Sequence, residues 1–168
     1  MLPELSQEYK RVSCKGFYSV FSVPFLHRLR RALEAHVRNR TARHGRGTLT
    51  LVANSSLCAL LRSPMGVVQK DDDCWALYTA VFNEVVATGR AVGISIPAQK
   101  AEARLARART SPPMVMSSMA VDLVAGNRLE YPWLGGRVRE LGREHGIPTP
   151  ANDFIGAALK PFLSGKAG

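Results

Sequence analysis

Residues 117–130 read Ser-Ser-Met-Ala-Val-Asp-Leu-Val-Ala-Gly-Asn-Arg-Leu-Glu, the segment of the sequence that is most informative about its structure. Residues 114–125 have the helical spacing of apolar side chains, and Gly126-Asn127 ends the predicted helix. A second predicted helix covers residues 132–144 and stops at His145-Gly146. The stretch therefore predicts two consecutive helices joined by a short loop.

Helical patterns continue on both sides of this stretch. The remaining predicted helices cover residues 49–61, 74–89, 98–109 and 151–163. In the last of these helices, the predicted buried side consists of Phe154, Ile155, Ala158, Leu159 and Phe162. No segment alternates apolar and polar residues convincingly, as a half-buried strand would. The predicted fold is therefore all-α, a bundle of six to seven helices.

Three consecutive aspartates, Asp71, Asp72 and Asp73, precede the predicted helix at 74–89. Carboxylates at a helix N-terminus accept hydrogen bonds from free backbone amides and suit the positive end of the helix dipole. A metal site needs further ligands, and no His or Glu lies at ligand spacing beside these aspartates. We therefore expect a helix cap here rather than a metal site.

The composition is that of one soluble domain with a core of its own. Of the 168 residues 46% are hydrophobic, which is enough for one core. The longest apolar runs, at 57–61 and 81–86, are far shorter than the roughly 20 residues of a membrane span. The cysteines Cys14, Cys58 and Cys74 include no CxxC pair, which favours a reducing compartment, the cytoplasm.

The net charge of +10 is concentrated near the N-terminus. Residues 1–48 carry ten Lys or Arg against three Glu, which accounts for seven of the ten net charges. Residues 25–46 predict a short basic amphipathic helix, with apolar side chains at positions 26, 29, 33 and 37. Residues 1–46 are therefore a basic extension, partly helical or disordered. A mitochondrial presequence and binding to nucleic acid or a membrane are the alternatives, and nucleic-acid binding rests on charge alone.

Common catalytic and nucleotide-binding motifs do not occur in the sequence. It contains no GxGxxG, GxxxxGK[ST], GxSxG or HExxH pattern. Surface roles are expected for the four histidines, His27, His36, His44 and His145. A place in the core, rather than a base-stacking surface, is expected for the aromatic residues Trp75, Tyr78, Phe82 and Trp133.

The order of several motifs resembles the C-terminal domain of the ketopantoate reductase (2-dehydropantoate 2-reductase) family. That family shows Ser-Ser-Met-x-x-Asp, then Gly-Arg-x-x-Glu, then a helix start of the form Gly-hydrophobic-Pro-x-Pro-x-Asn. Here residues 117–122, 126–130 and 146–152 are similar to these motifs. Residues 57–66 also resemble a family segment, without its Pro and Asn, and the helix around Asn83-Glu84 fits as well.

The resemblance implies a bundle of helices similar to the C-terminal domain of 6-phosphogluconate-dehydrogenase-like enzymes. In intact family members a preceding Rossmann domain binds NADPH, and the 2-oxo acid substrate lies between the two domains. Residues 1–46 are too short for such a dinucleotide-binding fold. We therefore expect residues 47–168 to form the helical domain, no cofactor site in this chain, and NADPH held by a separate chain.

The resemblance also implies roles for individual residues. Ser118 occupies the position of the family serine that hydrogen-bonds the substrate carboxylate. Glu130 occupies the position of the glutamate that binds the substrate hydroxyl and supports a catalytic lysine. A hydroxyl can donate to a carboxylate, and a carboxylate keeps a nearby lysine charged. The structural alternatives are helix capping for Ser117 and Ser118, and a helix N-terminal charge for Glu130.

The position of the family's catalytic lysine falls at Gly47. Two family asparagines, four and eight residues later, fall at Leu51 and Ser55, and a small shift would bring Asn54 into use. Ser55 and Asn54 are therefore further candidates for substrate binding. Without an acid to protonate the alkoxide, we expect a loss on the order of 10² to 10⁴ in rate.

Two hypotheses for function follow. The first is the substrate-binding C-terminal domain of a 2-dehydropantoate 2-reductase-like protein. Such proteins reduce ketopantoate to pantoate with NADPH in pantothenate biosynthesis, and this chain would be inactive without a separate Rossmann domain. The second is a non-enzymatic dimerisation or interaction module derived from that family, because removing a partner domain exposes apolar surface. The expected partner is accordingly a second copy or a Rossmann-domain chain.

Overall fold

The computed structural model describes residues 48–166, which form seven α-helices and two 3₁₀ turns. The helices are α1 Thr48–Leu61, α2 Met65–Lys70, α3 Asp72–Ala91, α4 Ala98–Arg109, α5 Ser118–Ala125, α6 Gly135–His145 and α7 Pro150–Leu159. The 3₁₀ turns are Tyr131–Trp133 and Lys160–Phe162. No strand occurs in the described residues, and the prediction of an all-α bundle is confirmed.

Helix α1 lies at the centre of the core. Ala53, Leu57 and Cys58 are fully buried, and α1 packs most extensively against α3 and α5. A helix with little polar surface is typical of such a central position. Helix α5, which begins at Ser118, is therefore anchored directly on the central helix. The other large buried side chains include Met65, Tyr78, Phe82, Met119, Leu129, Tyr131 and Ile155.

Helix α5 begins later than predicted, and residues 112–116 form a loop. The prediction of a helix from residue 114 is wrong because this backbone bonds to α2 instead. The Met65 amide donates to the Val115 carbonyl (2.8 Å), and the Gly66 amide donates to the Pro113 carbonyl (2.7 Å). A Cβ at position 66 would lie 2.8 Å from the Pro113 Cβ, so the crossing requires glycine. Helix α2 depends on these two acceptors for its N-terminal amides.

Helix α7 buries only part of the predicted side: Ile155 and Leu159 are buried as predicted. Phe154 is 59% exposed and Ala158 is exposed, so their assignment to the buried side is wrong. The buried side includes Asn152, which is polar, and Gly156, which has no side chain, so apolar spacing alone does not identify it. Its members are Ala151, Asn152, Ile155, Gly156 and Leu159. The helix also ends at Leu159, not at residue 163.

Several predictions fall on residues that the structure does not describe. The basic helix at 25–46, Cys14, His27, His36 and His44 lie outside the described residues. Cys58 is buried and Cys74 is half-buried, and both are free thiols. His145 is exposed at the end of α6. Among the helices of residues 48–166, none is both long and apolar enough to cross a membrane.

Asp71 acts as the predicted helix cap. It is the N-cap residue of α3, and its side chain accepts a hydrogen bond from the Cys74 amide (2.8 Å). This backbone hydrogen bond holds the pKa of Asp71 below its usual value. The neighbouring Asp72 pairs with Arg109 at 3.0 Å. In the part of the chain that the structure describes, no group of His, Cys, Asp or Glu could hold a metal ion.

Replacing the cap, as Asp71→Ala, should lower the melting temperature at neutral pH, because an N-terminal amide of α3 loses its acceptor. The pKa of Asp71 is lowered by folding. Its contribution is therefore present above the unfolded pKa and is lost as the pH falls through the folded one. Thermal unfolding at a series of pH values should show the deficit shrinking in acid. The control is Asp73→Ala, and an equal loss in both variants would contradict the cap.

Candidate functional site

The two serines that begin α5 make different contacts. Ser117 is the N-cap residue, and its hydroxyl oxygen accepts a hydrogen bond from the Ala120 amide (3.1 Å). The same hydroxyl donates to the Ser55 carbonyl at 3.5 Å, which joins α5 to α1. The structural alternative of helix capping therefore accounts for Ser117. It does not account for Ser118.

Ser118 faces the loop that follows α5. Its hydroxyl donates to Oε1 of Glu130, with an oxygen–oxygen distance of 3.2 Å, in a half-buried position. Glu130 precedes the 3₁₀ turn Tyr131–Trp133, and its side chain makes no capping hydrogen bond there. The chain thus brings together the two residues for which the resemblance implies substrate contacts.

The loop between Ser118 and Glu130 is hydrogen-bonded on both sides. Gly126 ends α5 with a φ of 72°, the left-handed conformation that favours glycine. The Asn127 amide donates to the Asp122 carbonyl (2.8 Å), and the Asn127 side chain donates to the Asp122 carboxylate (3.1 Å). Further along, the Leu129 amide donates to the Leu163 carbonyl (3.1 Å). These hydrogen bonds fix the path of the backbone that leads to Glu130.

The surroundings of Glu130 raise the pKa of its carboxyl above the usual 4.5. Burial is the main cause, because it disfavours the charged form. The hydrogen bond from Ser118 opposes this effect, and the negative charge of Asp122 adds to it. A carboxyl can accept a hydrogen bond from a hydroxyl, and a serine hydroxyl can donate to a carboxylate. The pair therefore places a hydroxyl group and a carboxyl group side by side.

The two candidates on α1 have different surroundings. Asn54 is half-buried, and its Oδ1 accepts a hydrogen bond from the Tyr78 hydroxyl (2.7 Å). The Tyr78 ring stacks on Trp75 with a centroid distance of 4.8 Å, which fixes the orientation of this hydroxyl. Ser55 is only 1% exposed and lies beneath the start of α5. The geometry favours Asn54 over Ser55 as a residue that could reach a ligand.

Arg128 carries a cation close to this loop. Its guanidinium lies over the Trp133 ring, 4.9 Å from the centroid, and such stacking restrains an exposed arginine. Trp133 and Trp75 are each half-buried, so only part of their rings lies in the predicted core. Tyr78 and Phe82 are buried as predicted. Sequence spacing alone does not identify Arg128 as a contact of an aromatic ring.

The buried carboxylate of Glu84 was also missed as a functional part of the structure. One of its oxygens accepts a hydrogen bond from the Ala151 amide (2.7 Å). The other accepts from the Asn152 backbone (2.9 Å) and side-chain amide (2.7 Å). Free amides at a helix N-terminus need acceptors, and the N-cap residue Thr149 provides no side-chain bond. A glutamate inside the apolar stripe of α3 was the available signal.

Tyr131 connects the hydrogen bonds of Glu84 and Asn152 to the neighbouring Glu130. Its hydroxyl donates to the Asn152 carbonyl oxygen (2.6 Å), and the residue is 1% exposed. A Cβ at Gly135 would lie 2.5 Å from the ring, so only glycine lets the start of α6 close over it. Burial raises the pKa of Tyr131, so the hydroxyl stays protonated and can donate.

A hollow of about 330 Å³ lies between the end of α5 and the C-terminal segment. Its lining is largely apolar and includes neither Ser118 nor Glu130. The Lys166 amide donates to the Gly126 carbonyl (3.1 Å) beside it. The hollow therefore belongs to the contact of the C-terminal segment with the loop. The lining residues are Leu123, Val124, Gly126, Phe162, Gly165 and Lys166.

Residues 48–166 thus form an all-α domain of the kind that the resemblance implied. Residues 46–162 match the protein family described as "Ketopantoate reductase PanE/ApbA C terminal". The chain therefore belongs to this family, and the predicted family membership is confirmed.

Individual relatives agree with this family. A 2-dehydropantoate 2-reductase of Caulobacter vibrioides is 30% identical over 111 residues, 66% of this chain and 38% of that protein. The solved PanE/ApbA family ketopantoate reductase from Ralstonia eutropha is 30% identical with a TM-score of 0.63, covering 70% of this chain and 39% of that one. A dimeric ketopantoate reductase from Staphylococcus aureus shares the fold, with a TM-score of 0.65, 21% identity and coverage of 70% and 41%. This chain spans 38% of the length of the curated relatives it matches.

The variant Glu130→Gln should raise the melting temperature at neutral pH. Folding raises the pKa of Glu130, so stability falls as the pH rises from the unfolded value of 4.5 through the folded one. Glutamine remains uncharged and can still accept the hydrogen bond from Ser118, so the variant avoids this loss. Thermal unfolding should show equal stability in acid and a more stable variant at neutral pH.

The exposed Glu102 of α4 provides the control for this measurement. Glu102→Gln should leave the pH dependence of unfolding close to that of the wild type. A wild-type protein that gains stability relative to Glu130→Gln as the pH rises would contradict the raised pKa of Glu130.

Proposed function

We propose that this chain is the substrate-side domain of a reductase for a 2-oxo acid, ketopantoate by family, and that it works only with a dinucleotide-binding domain. The observation that carries the proposal is the half-buried hydrogen bond between Ser118 and Glu130. Family membership supports it, because the matched relatives are 2-dehydropantoate 2-reductases.

The serine–glutamate pair complements the product, a 2-hydroxy acid. The product carboxylate accepts hydrogen bonds, and the product hydroxyl can donate one to a carboxyl group. In the proposed complex the Ser118 hydroxyl turns from Glu130 and donates its single proton to the product carboxylate, and the Glu130 carboxyl accepts a hydrogen bond from the product hydroxyl. Hydrogen bonds to ionised groups are stronger than those between neutral groups, and half-burial strengthens them further. Asn54, whose amide is oriented by Tyr78, is a third contact in this proposal.

The described residues do not fit the nicotinamide cofactor. Dinucleotides bind at the carboxyl edge of a parallel sheet, beside a glycine-rich strand-to-helix turn. Residues 48–166 contain no strand and hence no such edge. We therefore assign no step of hydride transfer to this chain, and we propose that NADPH is held by a separate domain.

Reduction of a carbonyl also needs a proton donor for the oxygen that becomes an alkoxide. The position of the family lysine falls at Gly47, which lies outside the described residues. Loss of a general acid costs on the order of 10² to 10⁴ in rate. We therefore expect slow turnover even when a dinucleotide-binding domain is supplied.

Pantoate should bind the purified chain through Ser118 and Glu130. In calorimetry or NMR titration, Ser118→Ala and Glu130→Ala should each weaken binding by about 10- to 100-fold, since a hydrogen bond to a charged group contributes about 1.5–3 kcal/mol. Ser118→Ala should still fold, because Ser117 caps α5. The matched control is Ser95→Ala, an exposed serine between α3 and α4, which should bind like the wild type.

Catalysis provides a second arm of the same experiment. The 168 residues alone should neither bind NADPH nor reduce ketopantoate. Addition of the dinucleotide-binding domain of the Caulobacter vibrioides relative should give measurable NADPH oxidation that depends on Glu130. Equal pantoate affinity in all variants, or turnover by the chain alone, would overturn the proposal.

A dimerisation module is the second candidate function, and exposed apolar side chains favour it. Val67 is 44% exposed, Met114 is 64% exposed and Val115 is 42% exposed. They lie on α2 and on the loop that bonds to its first turn, so they belong to adjoining segments. Adjacent exposed apolar residues are typical of protein–protein contacts. We propose a second copy of the chain as the occupant of this surface.

Dimerisation through this surface should weaken when a charge is placed in it. Met114→Glu should raise the dimer dissociation constant about tenfold or more, because an unpaired carboxylate would be buried at the contact. Light scattering after size exclusion measures this change. Phe154→Glu, on α7 and similarly exposed at 59%, is the control. A monomeric wild type across micromolar concentrations would eliminate this candidate.

A further inference from the structure

A buried hydrogen-bond network begins at Glu84 and ends one residue away from Glu130. We propose that Glu84, Asn152 and Tyr131 are positioning residues, which hold the Glu130 carboxyl against Ser118 through this network. We call these three residues the positioning network. The inference rests on the proposed function, in which Glu130 binds the substrate and its carboxyl must therefore be oriented.

The first link fixes helix α7 to helix α3. The Glu84 side chain is 9% exposed and accepts three hydrogen bonds from the first turn of α7, at 2.7, 2.7 and 2.9 Å. A buried carboxylate is tolerated only when such donors satisfy it. Because both oxygens are engaged, the first turn of α7 cannot rotate or slide along α3 without leaving a charge unpaired.

The second link passes through a single residue, Asn152. Its backbone and side-chain amides donate to Glu84, and its carbonyl accepts the bond from the Tyr131 hydroxyl. The residue is completely buried. Any shift of α7 relative to α3 therefore also moves the acceptor of the tyrosine.

The third link is covalent, because Tyr131 directly follows Glu130. The Tyr131 ring is enclosed by two glycines: a Cβ at Gly135 would lie 2.5 Å from the ring, and one at Gly156 would lie 3.1 Å from the hydroxyl. A ring held at both its edge and its tip fixes the backbone where the 3₁₀ turn begins. The hydrogen bond from Ser118 is 3.2 Å long, so a displacement of about 0.5 Å would break it.

Simple core packing is the alternative role for these residues. Packing and positioning both predict a loss of stability when the network is cut. They differ at Glu130, because only positioning predicts a changed hydrogen bond between Glu130 and Ser118. Burial has the largest effect on the pKa of Glu130, followed by the Ser118 hydroxyl and the Asp122 carboxylate, and neither of these two residues belongs to the network.

The test is Tyr131→Phe, which removes one hydroxyl and keeps the ring. Carboxyl-selective NMR titration of the purified chain should show the pKa of Glu130 raised above its wild-type value, because the bond from Ser118 lengthens. Pantoate affinity should fall about threefold to tenfold, since the proposed hydrogen bond between Glu130 and the pantoate hydroxyl is weakened and not removed. Glu84→Gln, at the far end of the network, should change both quantities in the same direction.

Tyr78→Phe is the matched control for the titration of Glu130. Tyr78 is as deeply buried as Tyr131 and donates one hydrogen bond of similar length, 2.7 Å, but to Asn54. It should lower the melting temperature as much as Tyr131→Phe and leave the pKa of Glu130 unchanged. Equal pKa changes in both variants, or none in Tyr131→Phe, would overturn the positioning role.

The two proposals fail in different ways. If Glu84→Gln does not fold, Tyr131→Phe still decides the question, because it leaves the charge at Glu84 paired. If the wild-type chain does not bind pantoate, the proposed function fails, while the titration of Glu130 still tests the network.

Discussion

The Glu84 carboxylate at the N-terminus of α7 is the interaction on which the arrangement of the helices depends. Burying a charge is costly, and the cost is offset only when hydrogen bonds replace those to water. Here one side chain satisfies two helix amides and an asparagine. Because α7 packs on α3 and α6, this single acceptor fixes the C-terminal half of the bundle to its core. The Tyr131 hydroxyl then bonds to α7 and fixes the chain next to Glu130.

Local signals in the sequence were sufficient for much of the fold. The apolar pattern of residues 49–61 predicts the central helix, and the predicted start differs from the observed one by a single residue. This pattern depends on local sequence alone. The cap at Asp71 is equally local, because its acceptor and donor are three residues apart. The choice of Ser118 and Glu130 came from a different source, the family resemblance, which implies that each contacts the substrate. Apolar spacing alone does not bring a helix start and a later loop together.

The features that could not be predicted depend on hydrogen bonds between distant segments. Residues 114–116 begin the predicted helix, but the carbonyls of Pro113 and Val115 accept hydrogen bonds from the amides of α2, about fifty residues earlier in the sequence. The buried side of α7 follows from Asn152, whose partner Glu84 lies 68 residues away. A polar residue is indistinguishable from a surface residue until its partner is known. For the same reason Tyr131 was not recognised as a contact of α7.

The surroundings of Glu130 argue for a role beyond stability. Burial and the nearby Asp122 both oppose the charge of this carboxyl, and only the Ser118 hydroxyl favours it. A residue kept for the fold alone would have its oxygens engaged by protein donors, as those of Glu84 are by three. The loop before Glu130 is instead fixed by hydrogen bonds, and Tyr131 after it is buried. The Glu130 carboxyl between them is half-buried. Local rules are most often broken where a protein binds or reacts, so this conflict supports the proposal that Glu130 binds substrate.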